Sequence, residues 1–142
     1  MSPTLPDMIC FALYSANQAM QRVYAPLLQK LGLTYPQYLV MLSLWQADGQ
    51  TVGDLGRALG LESNTVTPLL KRMEAQGLVA RSRDGADERQ VRVALTDHGR
   101  GLQDQVQPLT ACIIEACGMP PAEIAELRDR ITALRDRLRQ AG

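Results

Sequence analysis

TVGDLGRALGLESNTVTPLLKRMEAQGLVARSRDGADERQVRVALT (Thr51–Thr96) is the stretch whose reading decides the fold. Thr51, with Asp54 three residues later, is a helix-start signal, because the two side chains can satisfy backbone N–H groups that a new helix leaves open. A short helix, Val52 to Leu59, follows, with Leu55 and Leu59 four apart on one face. Gly60 makes the turn. Ser63 is read as the cap of a second helix that runs to about Gln76 and is stopped by Gly77. Val66, Leu69, Leu70 and Met73 form its apolar stripe. Pro68 costs this helix one backbone hydrogen bond unless the helix starts late. Leu78 to Arg83 reads as a strand, and Asp84-Gly85-Ala86-Asp87 is turn chemistry. Val91, Val93 and Leu95 then alternate with Arg92 and Ala94, the pattern of a half-buried strand. A short helix, a glycine turn and a second capped helix make a helix-turn-helix, and the hairpin directly after it makes a wing. The expected fold is mainly α with a small β-hairpin wing, a winged helix-turn-helix over 51–95.

Working outward, Thr34-Tyr35-Pro36-Gln37 is a capping box, and the run Tyr38 to Trp45 behind it is apolar nearly all round. That composition predicts a buried central helix. The first helix is expected to open at Asp7, after Pro3 and Pro6, and to run to about Lys30 with Gly32 closing it. On the far side, Thr96 is read as the cap of one long helix carrying Leu102, Val106, Leu109, Ile113 and Cys117, ended by Gly118. Pro120 and Pro121 open a last helix with Ile124, Leu127, Ile131, Leu134 and Leu138. The terminal segments, 7–32 and 96–142, are longer and more apolar than the reader needs. They are expected to build a dimer interface within a single domain, 1–142.

Composition narrows the function classes. The 142 residues are about one domain, and no repeat interrupts them. No stretch of about 18 uncharged apolar residues exists, so no membrane partner is expected. The start MSPTLPDMIC lacks the parts of a signal peptide, which makes the cytoplasm the expected location. Three cysteines, one histidine (His98) and no CxxC argue against a disulfide framework and a zinc site, and no cofactor is expected. Basic and acidic residues balance at 15 each. Between Arg57 and Arg92, however, Arg57, Lys71, Arg72, Arg81, Arg83, Arg89 and Arg92 stand against Glu62, Glu74, Asp84, Asp87 and Glu88, a modest local excess of positive charge.

The second helix of such a motif enters the major groove with its N-terminal residues nearest the bases. Here that turn offers Ser63, Asn64, Thr65 and Thr67, short polar side chains able to bond base edges or phosphates. Lys71 and Arg72 follow one turn later, placed for phosphates or guanine edges. The wing tip carries Arg89, with Arg81 and Arg83 at its base. An arginine there suits the narrow minor groove, whose negative potential attracts it. Two plainer readings stand beside these: Lys71 and Arg72 as solvated helix charges, and Arg89 as the partner of Asp87 in a pair that braces the wing.

With Asp7 as the cap, Cys10 falls in the first helical turn, where the positive end of the helix dipole favours a thiolate. Tyr14 lies four residues on along the same face. Tyr24 lies fourteen on, nearly on that face, and Tyr35 sits at the start of the next helix. Tyrosine hydroxyls can hydrogen-bond a thiolate or a sulfenic acid. The plainer alternative is a small buried hydrophobe at Cys10 and ordinary interface aromatics around it.

The segments CFALY (Cys10–Tyr14), YAPLL (Tyr24–Leu28), LGLTYPQYLVML (Leu31–Leu42), TVGDLG (Thr51–Gly56), TPLLKRMEAQGLV (Thr67–Val79) and DERQVRVALT (Asp87–Thr96) resemble the organic hydroperoxide resistance regulators of the MarR family. The resemblance runs from about Asp7 to Thr96 and weakens beyond. It implies a homodimeric repressor that binds a pseudo-palindromic duplex and leaves it when an organic hydroperoxide oxidises one cysteine. Cys10 matches the peroxidatic cysteine. Tyr24 and Tyr35 match the tyrosines that bond its thiol across the dimer, and Tyr14 matches a third nearby. Arg89 matches the wing arginine and Asp87 its acidic partner. Gln18 departs from the pattern, standing where relatives often carry arginine. Some relatives have a resolving cysteine near the end of the fifth helix. Cys112 and Cys117 both lie in that region, and Cys117, on the apolar stripe beside Gly118, is the preferred candidate.

Three classes remain at this stage. One is the redox-sensing repressor. A second is a MarR-type repressor released by a small phenolic or apolar ligand, with Cys10 structural. The third is a thiol peroxidase, disfavoured because no thioredoxin-like βαβ pattern or further catalytic motif is present.

Overall fold

A computed structural model describes residues 2–83, 85, 87 and 89–142. By its contacts the chain divides into two units, one ending at Gln107 and one from Pro108 to Gly142.

The first unit holds the reader. After a 3-10 turn (Leu5–Asp7), helix α1 spans Ile9–Leu31 and α2 spans Tyr35–Gln46. Strand β1 (Gln50–Thr51), helices α3 (Val52–Leu59) and α4 (Ser63–Ala75), and strands β2 (Val79–Arg83) and β3 (Val91–Leu95) follow. Helix α5 (Asp97–Gly101) and the start of α6 (Gln103–Cys117) complete it. The second unit contains the rest of α6 and α7 (Pro121–Ala141). The helices and the hairpin strands agree with the expected winged helix-turn-helix. Of the expected turn, Asp84 and Ala86 lie outside the described residues.

Local chemistry sets most element ends. At α2 the Thr34 side chain accepts from Gln37 N while Gln37 Oε1 accepts from Thr34 N (3.1 Å), the reciprocal pair read from the sequence. The same box at Thr51 and Asp54 opens α3. Gly32 and Gly60 close α1 and α3 in the left-handed conformation that side chains resist.

The core of the first unit forms around α2, whose Tyr38, Val40, Met41 and Leu44 are buried. Leu55 of α3, the α4 stripe Val66, Leu69, Leu70 and Met73, and Val79, Val93 and Leu95 of the sheet are also buried. Each such side chain contributes about 1.5–3 kcal/mol of burial free energy, so the stripe of α4 alone fixes which face that helix turns outward.

Three expectations need correction. First, α1 starts at Ile9 with Met8 as its cap, not at Asp7. The Asp7 carboxylate is turned back to Thr4, accepting from its hydroxyl (2.6 Å), and so serves the preceding 3-10 turn. Second, Glu62, not Ser63, caps α4. The Glu62 carbonyl takes the bonds from Thr65 N (2.9 Å) and Val66 N (3.0 Å), which places Ser63 inside the helix. Third, the long helix after Thr96 is broken at Leu102. Trp45 Nε1 donates to the Gly99 carbonyl (3.0 Å), the acceptor that Gln103 N–H would use in a continuous helix. Beyond the expected hairpin of β2 and β3, the sheet gains a third strand, giving the order β1-β3-β2, all antiparallel. The added strand pairs Gln50 with Val93 and Thr51 with Arg92 and ties the start of α3 to the wing.

Candidate nucleic-acid interface and thiol site

With Val66, Leu69, Leu70 and Met73 buried, α4 presents Ser63, Asn64, Thr65, Pro68, Lys71 and Arg72 on its exposed face, with Thr67 half-buried at the edge. Asn64, Pro68 and Lys71 lie four and seven residues apart, one stripe of an α-helix. Pro68 is inside the helix and has no N–H for the Asn64 carbonyl. Because both residues are exposed, water can take that acceptor, which keeps the loss small.

The wing arginines separate into distinct roles. Arg89 keeps 93% of its side chain exposed, while its Nε approaches Asp87 Oδ1 at 3.5 Å and its backbone N–H donates to the same oxygen at 3.0 Å. The bracing pair therefore exists, and the guanidinium still faces outward. Arg81 is 24% exposed and is tied to Glu74 of α4 through its backbone N (2.9 Å), Nε (3.3 Å) and Nη2 (3.2 Å). These bonds, led by the one from the Arg81 backbone, hold the Glu74 carboxyl below the ordinary glutamate range. Arg81 thus joins the wing to the reading helix. Arg83 lies exposed at the end of β2.

A cleft of about 340 Å³ brings Ser63 and Thr67 together with Arg89, Gln90 and Arg57 of α3. The sequence places Arg57 only within the local excess of positive charge and gives Gln90 no role. Their signal, a cation and an amide flanking the reader, is too common to weigh without geometry.

Cys10 is the second residue of α1, exposed, and all three cysteines are free thiols. Tyr14, one turn on, is 61% exposed, and its hydroxyl oxygen accepts from Gln18 Nε2 at 3.0 Å. Tyr24 belongs elsewhere. Fourteen residues of helix place it about 21 Å along α1 from the Cys10 of its own chain. It stacks instead with Tyr35 (ring centroids 5.0 Å apart) and Tyr38 (5.7 Å), with Tyr35 and Tyr38 at 6.2 Å. Partial burial pushes the Tyr35 phenol up from its ordinary value. The sequence marks Tyr38 only as core. Its spacing of three from Tyr35 was the available clue.

Next to Tyr35, Gln37 is buried and its Nε2 donates to Gln76 Oε1 (2.8 Å) just beyond α4. Gln76 Nε2 donates to the Gly32 carbonyl (3.2 Å). These amides border a cleft of about 520 Å³ that Leu28, Leu33 and Tyr35 also line. In the second unit, Cys112 is exposed and Cys117 half-buried on α6, and Ile114, Leu127, Ile131 and Leu138 are exposed. Among the described residues no group of three or more acidic, histidine or cysteine side chains is placed to hold a metal.

The arrangement of α3, α4 and wing defines a winged-helix reader, and comparison with known proteins agrees. The family model for the transcriptional regulators SarA/Rot matches residues 22–106. The chain is 47% identical over 135 residues to the HTH-type transcriptional regulator TtmR of Methylorubrum extorquens, covering 95% of this chain and 69% of that one. It is 39% identical over 136 residues to the organic hydroperoxide resistance transcriptional regulator of Bacillus subtilis, covering 96% and 92%. AbfR of Staphylococcus epidermidis superposes with a TM-score of 0.80 at 34% identity, over 96% of this chain and 94% of that one. AbfR bound to DNA scores 0.78 both reduced (37% identity, 96% and 93% covered) and overoxidised (36%, 94% of each). Disulfide-formed AbfR scores 0.66 (37%, 96% and 90%). The chain belongs to the SarA/MarR-type winged-helix family of transcriptional regulators, in the branch with the organic hydroperoxide resistance regulator.

Membership of this family makes the chain a transcriptional regulator. No helix among the described residues is long and apolar enough to cross a membrane.

Proposed function

We propose that this regulator is a homodimeric, DNA-binding repressor that senses organic hydroperoxides through Cys10 and then leaves a pseudo-palindromic operator. The observation that carries the reading is the exposed Cys10 thiol in the first turn of α1, on a chain with 39% identity to a hydroperoxide-resistance regulator. Ser63, Asn64, Thr65 and Thr67 face the major groove, Lys71 and Arg72 meet phosphates or guanine edges, and Arg89, steadied by Asp87, enters the minor groove. Arg83 adds positive charge beside the duplex, and Arg81 acts by holding the wing to α4.

Exposed apolar residues near both ends of the chain, Ile9 and Tyr14 on α1 and Leu127, Ile131 and Leu138 on α7, support a dimer built by the terminal helices. The separation of about 21 Å along α1 between Cys10 and Tyr24 supports a site shared by two chains, with Tyr24 and Tyr35 of one meeting Cys10 of the other. Tyr14 stays with its own Cys10, one helical turn away.

In the chemistry, the Cys10 thiolate attacks the peroxide, the O–O bond breaks, sulfur takes one oxygen as sulfenic acid, and the alkoxide leaves and is protonated to an alcohol. Release takes more than this. Two hydrogen bonds to sulfur are worth on the order of 1 kcal/mol each, whereas moving an equilibrium from nearly all bound to nearly all released takes roughly 5.5 kcal/mol. AbfR has been captured on DNA in the overoxidised as well as the reduced form, which supports the view that added oxygen alone is a weak perturbation. A second thiol, Cys117 or else Cys112 of the other chain, then attacks the sulfenic acid sulfur, forms an intersubunit disulfide and expels water. After one equivalent of an organic hydroperoxide, non-reducing electrophoresis should show a covalent dimer. It should be lost in Cys10→Ser and in one of the two C-terminal Cys→Ser variants. A protein that has left DNA yet runs as a monomer on that gel would rule out the resolving cysteine.

A further inference from the structure

Arg57 on α3 belongs to neither element assigned above to DNA contact, yet its side chain lines the cleft that α4 and the wing share. Gly53 lines the α3 side with it, Ser63 and Thr67 the α4 side, and Arg89 and Gln90 the wing side. The charged residues among the described lining are two arginines; their carboxylate partners, Asp54 and Asp87, stand outside it, so the cleft itself presents guanidinium donors suited to an anion. Hydroxyls and an amide add neutral donors.

The guanidinium is held in place without being buried. Arg57 Nη2 meets Asp54 Oδ1, and the other Asp54 oxygen accepts from Thr51 N at 3.1 Å. The helix-capping carboxylate of α3 therefore also anchors the arginine, while standing outside the cleft lining. Arg57 remains 75% exposed. Its Nη1 lies beside Gly53, at ordinary contact distance (3.5 Å) from where a Cβ would stand. With Glu62 as the cap of α4, the Ser63 hydroxyl is not taken up in capping and is available to a ligand.

We propose that this cleft seats one phosphate of the DNA strand passing from the groove read by α4 to the groove entered by the wing, with Arg57 as its main ligand. Arginine, serine and threonine are the usual partners of backbone phosphates, and all three converge here. The proposal rests on the DNA-binding reading above. It adds a contact that fixes register on the duplex and carries no sequence information.

The test uses a duplex selected from a random pool by the wild-type dimer, with affinity measured from 50 to 200 mM salt for wild type, Arg57→Ala, Arg57→Lys and Arg89→Ala. Arg57→Ala should weaken related duplexes equally. One phosphate contact contributes about 0.9 to the logarithmic salt slope, so the loss of affinity across that range should be about 3.5-fold smaller than for wild type. Arg57→Lys should restore the slope. Methylphosphonate substitution, one phosphate at a time, should find one position per half-site that weakens wild type and leaves Arg57→Ala unaffected. Unchanged slope in Arg57→Ala, or no such position in the scan, overturns the phosphate seat. If Arg89→Ala still loses affinity, DNA binding through the wing stands and only the seat falls. If the wild type selects no duplex, both fall.

Discussion

Gly56→Ala probes the turn between α3 and α4 with a single methyl group. Gly56 is buried, and a Cβ built on it would lie 2.7 Å from the Leu61 carbonyl oxygen. That is about 0.7 Å inside ordinary van der Waals contact, and the opposing atom is backbone, so no rotamer change relieves it. The same two residues are joined by Leu61 N donating to the Gly56 carbonyl at 2.9 Å, which ties any relief to the loss of a turn bond. Overpacking of this kind costs about 1–3 kcal/mol. Replacing a helical glycine with alanine returns about 1 kcal/mol, so a net loss of up to about 2 kcal/mol is expected. Such a loss leaves the protein folded. Leu61 directly precedes Glu62, the cap of α4, so displacing its carbonyl tilts the reading helix. DNA affinity should therefore fall by more than the stability loss explains. Thermal melting and fluorescence anisotropy on a selected duplex measure the two effects. Wild-type melting together with wild-type affinity would refute the close approach of α3 and α4.

The two wing arginines should dissociate. Arg81→Ala breaks the link to Glu74 and should lower the melting temperature with the salt slope of binding nearly intact. Arg89→Ala should leave melting unchanged and reduce the slope by about one. Interchanged outcomes would reverse the assignment. Glu74 and Asp54 have folded-state carboxyls held below their unfolded values by bonds from Arg81 and Thr51. Their stabilisation is present above the ordinary carboxylate range and is lost as pH falls through the lowered values. Melting should thus decline on acidification below that range, and less steeply in Glu74→Gln. Equal slopes in the two proteins would contradict it.

Features carried by neighbours in sequence were legible, and features carried across the fold were not. Thr34 with Gln37, and Thr51 with Asp54, announce α2 and α3 because a capping box needs only four consecutive residues. The stripe of α4 and the alternation of β3 are likewise local. β1 is two residues long, too short for any period to register. The break at Leu102 depends on Trp45, fifty-four residues from the carbonyl it claims. Arg81 looks like any wing cation until Glu74 is placed beneath it. At the thiol site, the position of Cys10 in the first turn of α1 was readable, although Asp7 gave a false start to the helix because its carboxylate serves Thr4. The Tyr24–Tyr35–Tyr38 cluster joins two helices, and a sequence periodicity reports only one.

The central claim is that oxidation of Cys10 alone governs release from DNA. Its most direct test is anisotropy of a labelled, selected duplex titrated with wild type and with Cys10→Ser, before and after one equivalent of an organic hydroperoxide. Reduced, the two proteins should bind alike. After oxidation the wild type should release the duplex, dithiothreitol should restore binding, and Cys10→Ser should stay bound throughout. Release that persists in Cys10→Ser would contradict the account and transfer sensing to another group or to a bound ligand.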